Sequence, residues 1–429
     1  MSTLVASVIA VAACTALLPA APPPSRIEAV KDTLHGVEFT DNYRWLEGDN
    51  TDAANMGKSN DEVSAWTDAQ NAHTRQVLEN LPGRKQLEAR LRPLMEVGSI
   101  SAPNMAGKFY FYSKREGTEN QARLFVREKF DGEPRLLLDP AAIDASGLVT
   151  ISWTSPSIDG KLLAFGMYRA GDENSTLYVM DVTTGQWLAE EIPGKVQGVD
   201  WLPDSTGFFY NRLQDLKNPY SGQVKFHKLG THHRQDQTLF TQTAPGEFWK
   251  KYSKYTDEEQ KKLATTYGPY SGISRDGKWM VFGYATGTRS ADTWVVDLKK
   301  WFESGMKDWM PVPVIAGTLT SGFSGIGPII GDTMYMETTV DAPGGRIVAV
   351  DLKNPSPDKW KVIVPQKEGA VLESVSAAKG LLVATYLKNA STMIEKVALD
   401  GKSLGAVELP GIGSGGVSTE EDRTEAFLS

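Results

Sequence analysis

One pattern recurs six times along this chain and limits its fold more than any other feature. A polar turn leads into a strand of alternating character, and a second strand follows that ends in a further turn. The leading halves read NMAGKFYFY from residue 104, SIDGKLLAF from 157, LPDSTGFFY from 202, SRDGKWMVF from 274, IIGDTMYME from 329 and SAAKGLLVA from 376. The trailing halves are ARLFVREKFDGE, STLYVMDVTTGQ, QVKFHKLGTHHR, DTWVVDLKK, RIVAVDLKN and MIEKVALDGKS. Asp-Gly and Gly-Lys pairs suit tight hairpins, because glycine supplies the positive φ that such turns need. The units lie about 50 residues apart with one gap of about 70, the range of four-stranded propeller blades. The long gap holds KKYSKYTDEEQKKL, read as an exposed loop or short helix. A seventh unit starts at Gly416-Val417-Ser418, with material for about one strand. The expected fold is mainly β, a seven-bladed β-propeller over residues 98–429 whose seventh blade is incomplete. An unfinished blade leaves strand edges unpaired, so the chain reads as cut short.

Ahead of the repeats the period is helical. Ser59-Asn60-Asp61-Glu62 is a capping-box pattern, and Val63, Trp66, Gln70, His73, Val77 and Leu81 fall on one stripe. Pro82-Gly83 ends that helix; Leu87, Leu91 and Leu94 begin a second stripe that Pro93 ends or kinks. His73 reads as a packed histidine of the stripe. Before the helices lies HGVEFTDNYRWLEG at 35–48, neither a helix pattern nor a clean strand. Its Tyr43 and Trp45 call for a surface to pack against.

Hydrophobic residues make up 41% and charged residues 23%, with a net charge of -8, and no long basic tract occurs. That balance fits a soluble acidic surface and argues against nucleic-acid binding. The single cysteine, Cys14, excludes an internal disulfide. It lies in an uncharged Ala/Val-rich run, Leu4 to Leu18, suited to the apolar part of an export signal although no Lys or Arg precedes it. Val11-Ala12-Ala13-Cys14 is similar to the lipobox of bacterial lipoproteins. Residues 1–21 are therefore read as a signal sequence and Cys14 as a lipidation candidate, giving an exported product, periplasmic or lipid-anchored to a bacterial membrane. Membrane attachment is expected only through acylation of Cys14. Pro22-Pro23-Pro24 follows as a stiff spacer.

Taken together, the Pro-rich start, Asp41-x-Tyr43-Arg44-Trp45-Leu46-Glu47, the Trp66, Gln70-Asn71, Thr74 and Leu81-Pro82 spacing, and the blades resemble the prolyl oligopeptidase family from about Pro22 onward. Gln70-Asn71 favours that branch over the related oligopeptidase B group, which usually carries Glu-Asn. The resemblance implies a serine endopeptidase that cleaves short peptides after proline. In it a propeller covers the Ser-His-Asp site of an α/β-hydrolase domain. By this resemblance residues 22–97 are an N-terminal helical segment of that hydrolase domain, otherwise absent from the chain. Tyr43, Trp45 and Trp66 would pack on its catalytic core. The implied partners are the C-terminal hydrolase domain and short peptide substrates, with no cofactor.

The chain itself offers no triad. No Gly-x-Ser-x-Gly occurs; GIGSGG at 411 has Ile412 where the first glycine is required and reads as a linker between blades. None of His35, His73, His227, His232 and His233 follows a plausible nucleophile, and His232-His233 reads as a solvated pair rather than a metal site. Lys396 occupies the position where a phosphate loop ending at Gly401-Lys402-Ser403 would need glycine. The catalytic set is thus none, the metal set none, and the chain alone is expected to be inactive. Thr288 and Arg289 match a family loop lining the substrate path and are the substrate-channel candidates. Two rival readings stand beside this one. The first is a stand-alone exported propeller acting as a binding platform, which has no need of DNYRWLEG. The second is a propeller glycosidase, for which no carboxylate pair is identifiable.

Overall fold

The computed structural model describes residues 21–48, 60–242, 268–287, 290–315 and 326–429. Cys14, Ser59, the KKYSKYTDEEQKKL insertion, Thr288 and Arg289 lie outside the described residues. The chain divides into two compact units, Met1–Met95 and Glu96–Ser429.

The first unit contains a hairpin, β1 (Val30–Leu34) and β2 (Val37–Asp41), turned by His35 and Gly36, both at positive φ. A 3-10 turn, Arg44–Glu47, follows, and Arg44 Nε donates to Asp41 Oδ2 at 2.8 Å. Two helices complete the unit, α1 (Asp61–Glu79) and α2 (Arg84–Met95), the latter with Pro93 inside it. The cap of α1 falls at Asn60, whose side chain accepts from the Val63 amide, and not at Ser59 as the capping-box reading has it. Glu62, which that reading has reaching back, pairs with Arg26. Asn60 supplies the same acceptor one residue later, which leaves Glu62 free for that cation.

The apolar stripe is real as far as Val77. Val63 is buried and Trp66, Gln70, His73 and Val77 are half-buried, while Leu81 is exposed. Trp45 and Trp66 meet edge to face at 6.1 Å, within the range such aromatic pairs prefer. Their ring nitrogens and Gln70 hold the segment 23–26: Trp45 Nε1 donates to Arg26 O at 2.9 Å, Trp66 Nε1 to Ser25 Oγ at 3.0 Å, and Gln70 Nε2 to Pro23 O at 2.7 Å. Part of the surface that the two tryptophans call for therefore lies in the chain's own Pro-rich start. Tyr43 stays exposed, as do Val37 and Leu94, each at 66%. Val63 is the only buried side chain among the described residues of this unit. One buried valine is worth about 1.5–3 kcal/mol, far below the conformational entropy of ordering two helices and a hairpin.

The second unit is a mainly-β propeller. Six antiparallel sheets follow one another along the chain, over residues 99–138, 149–192, 199–241, 269–315, 329–364 and 371–407. In five of them four strands pair in sequence order; the first sheet has a short extra strand, Asn104–Ala106, beside Phe109–Arg115. The six repeated units read from the sequence are the second and third strands of each sheet: Phe109–Arg115 with Arg123–Arg127 in blade one, and Leu381–Lys388 with Ser391–Ala398 in blade six. A last hairpin pairs Val417–Thr419 with Ala426–Leu428. The final segment thus holds two strands where one was expected. Gly411 to Gly416 link blade six to it, as the linker reading requires.

Strand alternation is weaker than the period of two implies. Leu163 to Met167, Phe208 to Tyr210 and Met280 to Phe282 are buried without a break. Blades two to five are covered on both faces by neighbouring blades, and a strand buried on both faces reads as a continuous apolar run. The core is accordingly a series of layers between consecutive blades. Phe165 and Phe111 belong to the layer between blades one and two, Val179 and Phe208 to the next, and Phe209, Trp294 and Trp301 to the one between three and four. Val281 and Val348 lie between four and five, and Ile347 and Leu382 between five and six. Where blades one and two meet at their turns, the Gly107 amide donates to Ile158 O at 2.9 Å. A Cβ on Gly107 would lie 2.1 Å from Asp159 O, so the approach admits only glycine.

The terminal hairpin joins the ring to its own start. Ser418 Oγ donates to Pro103 O at 2.7 Å, Tyr110 Oη to Glu425 Oε1 at 2.9 Å, and Phe427 packs against Tyr110 and Phe130 of blade one. On its other side the Lys379 amide of blade six donates to Arg423 O at 2.7 Å.

Candidate functional site

The short strand Asn104–Ala106 of blade one, the first strands of the other five blades and the terminal hairpin line one common cavity of about 470 Å³. Met105, Pro156, Trp201, Ile273, Ile329 and Ala377 supply one wall position from each blade, and Thr419 to Glu421 complete the circle. This is the axial channel of the propeller, and it is a walled hole because every first strand must run alongside its neighbours rather than pair with them.

Charge enters the channel at the turns between first and second strands. Ser157-Ile158-Asp159-Gly160 and Ser274-Arg275-Asp276-Gly277 are the same turn built twice. In each the serine hydroxyl donates to the aspartate (2.7 and 2.6 Å), the glycine amide donates to the serine carbonyl (2.8 Å in both), and glycine sits at positive φ. The second residue of this turn faces the channel, so blade two presents Ile158 there and blade four presents Arg275. Arg275 Nη1 donates to Glu420 Oε2 and Nη2 to Asp422 Oδ2, both at 3.0 Å. Glu420 and Glu421 are held above the usual carboxylate range, mainly because burial disfavours their charge, with Arg275 opposing the shift.

Asp200, half-buried in the wall, accepts from Ser271 Oγ of the next blade at 3.1 Å, and burial pushes its carboxyl up to about 7. The fold therefore holds this proton more tightly than the unfolded chain does. The favourable contribution is full below the ordinary carboxylate range and is lost as pH rises through about 7. Asp200→Asn keeps an acceptor for Ser271 without the charge. It is expected to stabilise the propeller by roughly 1–2 kcal/mol at pH 8, discounted for channel water, and by nothing at pH 3. Urea unfolding at the two pH values checks this; equal effects at both contradict it.

The other histidine readings resolve plainly. His73 is half-buried on α1, and the rings of His232 and His233 stack at 4.5 Å in the loop before Gln237–Thr241. Among the described residues no group of three His, Cys, Asp or Glu side chains could hold a metal. His227 is buried, with Nδ1 2.9 Å from Asp236 Oδ1, while Tyr210 Oη donates to Asp236 Oδ2 at 2.7 Å. A His-Asp pair of this kind orients a catalytic base elsewhere, but Phe208 packs on this ring at 5.0 Å and no hydroxyl bonds to its Nε2. It holds strands of blade three together.

Sequence reasoning missed Arg275, Glu420, Asp422 and Asp200. Arg275 stood inside SRDGKWMVF, where only the turn was read. The signal was the comparison with SIDGKLLAF, in which the same position is apolar.

These features agree with the relatives the chain resembles. The family model described as prolyl oligopeptidase, N-terminal β-propeller domain, matches residues 22–429. The prolyl endopeptidase of Elizabethkingia meningoseptica is 28% identical over 413 residues, covering 93% of this chain and 52% of that protein. The dual function macrocyclase-peptidase POPB of Amanita bisporigera is 24% identical, covering 95% of this chain and 56% of its own length. A solved prolyl endopeptidase structure, from work on inter-domain dynamics in catalysis and specificity, superposes with a TM-score of 0.79 at 30% identity. It covers 95% of this chain and 56% of that one. Prolyl oligopeptidase B from Galerina marginata, bound to a 35mer substrate, shares the fold at a TM-score of 0.78 and 21% identity. The chain thus spans about half the length of the curated relatives it matches. With its blades, its channel and a match that runs from Pro22 to Ser429, the chain belongs to the prolyl oligopeptidase family.

Proposed function

We propose that this propeller controls the access of short peptides to a Ser-His-Asp serine-peptidase site carried by an α/β-hydrolase domain that residues 1–429 do not themselves supply. The observation that carries the reading is the axial channel. Its wall draws on every blade, and its volume of about 470 Å³ suits a peptide segment of a few residues rather than a folded chain. The relatives named as prolyl endopeptidases support post-proline cleavage, by acyl-enzyme chemistry on the serine. In this reading the hairpin at Val417–Thr419 and Ala426–Leu428 is the first part of a seventh blade. The helical unit is the N-terminal edge of the hydrolase domain, which explains its exposed Val37, Leu87 and Leu94. Export through residues 1–21, with Cys14 as the acylation site, belongs to the same proposal; an intact Met1 on the cellular protein contradicts it.

The test is a graft. Residues 98–429 replace the propeller of a related prolyl endopeptidase, and cleavage of proline-containing peptides from 5 to 40 residues is timed. The graft is expected to cut short peptides and to lose at least tenfold in rate toward the long ones. Residues 1–429 alone are expected to cut none. A length profile identical to that of the hydrolase half without any propeller overturns the gating role. Turnover by residues 1–429 alone, abolished by a serine-directed inhibitor, overturns the assignment of catalysis to another domain.

A further inference from the structure

The ion cluster in the channel joins parts of the ring that are not neighbours. Blades five and six separate blade four from the terminal hairpin on one side, and blades one to three do so on the other. The bonds from Arg275 to Glu420 and Asp422 must therefore cross the channel. They cross it at one mouth. Arg275 lies in a turn between first and second strands, whereas Ser99 of blade one pairs with Arg115, at the far end of the second strand. The cluster thus closes the mouth remote from Ser99. Arg275 is 18% exposed and Glu420 33%, while Asp422 on the outer side is 53% exposed.

We propose that Arg275, Glu420 and Asp422 form a latch across this mouth, so that breaking it admits larger molecules to the channel. The proposal rests on the gating reading only for its consequence, that the latch sets the size of peptide admitted from this side. The geometry also explains why one arginine carries the latch. Glu420 and Asp422 bond to it and Glu421 feels its charge, with Asp276 acting on Glu421, Arg423 acting on Glu420 and Asp200 further along the wall. Removing Arg275 leaves carboxylates that repel one another and do not bridge. As pH falls, the half-buried Glu420 takes up its proton before an ordinary carboxylate does, and the latch loses one of its two anions.

A thiol placed in the channel reports access directly. In a Cys14→Ser background, Ser376→Cys puts one thiol in the wall beside the latch. Its labelling is followed with a small methanethiosulfonate and with a bulky polymer-linked maleimide. Arg275→Ala is expected to raise the bulky reagent's rate at least tenfold and the small reagent's less than threefold, while Arg275→Lys stays near the parent. The Glu420→Gln/Asp422→Asn double variant is expected to behave like Arg275→Ala, and it replaces that variant if the latter does not fold. The ratio of parent to Arg275→Ala rates, in which the thiol's own titration cancels, is expected to rise as pH falls, because Glu420 is protonated above the ordinary carboxylate range. Equal bulky-reagent rates in parent and latch variants, whether fast or slow, overturn the proposal. Faster labelling with an unchanged peptide-length profile in the graft leaves the latch standing and removes the peptide gate.

Discussion

Replacing Trp301 with alanine is expected to lower the stability of the propeller by about 3–5 kcal/mol, the largest effect of any single substitution proposed for this chain. Trp301 lies in the short helix Leu298–Glu303 of blade four, whose start is capped by Asp297 accepting from the Lys300 amide. Its ring is fully buried and packs against Phe209 and Phe226 of blade three and Trp309 of blade four. Truncation removes an indole from a layer that two blades share, so both lose packing at once. Urea unfolding monitored by tyrosine and remaining tryptophan fluorescence checks it. A shift below 1 kcal/mol would mean that the layer collapses onto the gap and that the blades are not the rigid walls of the channel.

The second large effect is at the closure of the ring. Phe427 contacts Tyr110 at 6.0 Å and Phe130 at 5.0 Å, and each such aromatic pair is worth about 0.5–1.5 kcal/mol beyond area burial. Phe427→Ala is therefore expected to cost about 2 kcal/mol, and it acts where blades six and one have no shared core of their own. The expected signature is local as well as global. Amides of the Val417–Thr419 and Ala426–Leu428 strands exchange faster, while those of blades three and four keep their protection. Uniform loss of protection across all blades contradicts a closure made at this hairpin.

Much of the fold is legible in the sequence because turns are local. Gly107-Lys108, Asp159-Gly160-Lys161 and Asp276-Gly277-Lys278 mark the turns that lead into the second strands of blades one, two and four, since the positive φ they need is a property of two or three residues. The first and fourth strands are harder to see. Val199–Trp201 and Lys361–Val364 are short, and what defines them is a neighbouring strand, not their own pattern. The capping residue of α1 slips by one position for a similar reason, because Ser59 and Asn60 are chemically equivalent acceptors and only the chain path selects between them. The channel was not legible at all. Arg275 and Glu420 are separated by a long stretch of sequence, and no rule of spacing brings them within 3.0 Å. Only closing the ring does. Tyr43, Trp45 and Trp66 show the opposite case. In the sequence they call for a surface to pack against; the Pro-rich start at 23–26 supplies part of one to Trp45 and Trp66 in a way that spacing does not reveal, while Tyr43 stays exposed.

The central proposal is that the helical unit and the propeller are two parts of one peptidase whose hydrolase domain would complete the first unit. Hydrogen exchange over Asp61–Glu79 tests it most directly. With Val63 as its only buried side chain, α1 has little of its own to hold it, so its amides are expected to exchange orders of magnitude faster than those of the second strands of the blades. Adding the hydrolase half of a related prolyl endopeptidase is expected to slow exchange across 61–79 and to leave the blades unchanged. If the amides of 61–79 are already as protected as Leu163 to Phe165 in the isolated chain, the helix has its partner within residues 1–429 and the account is contradicted.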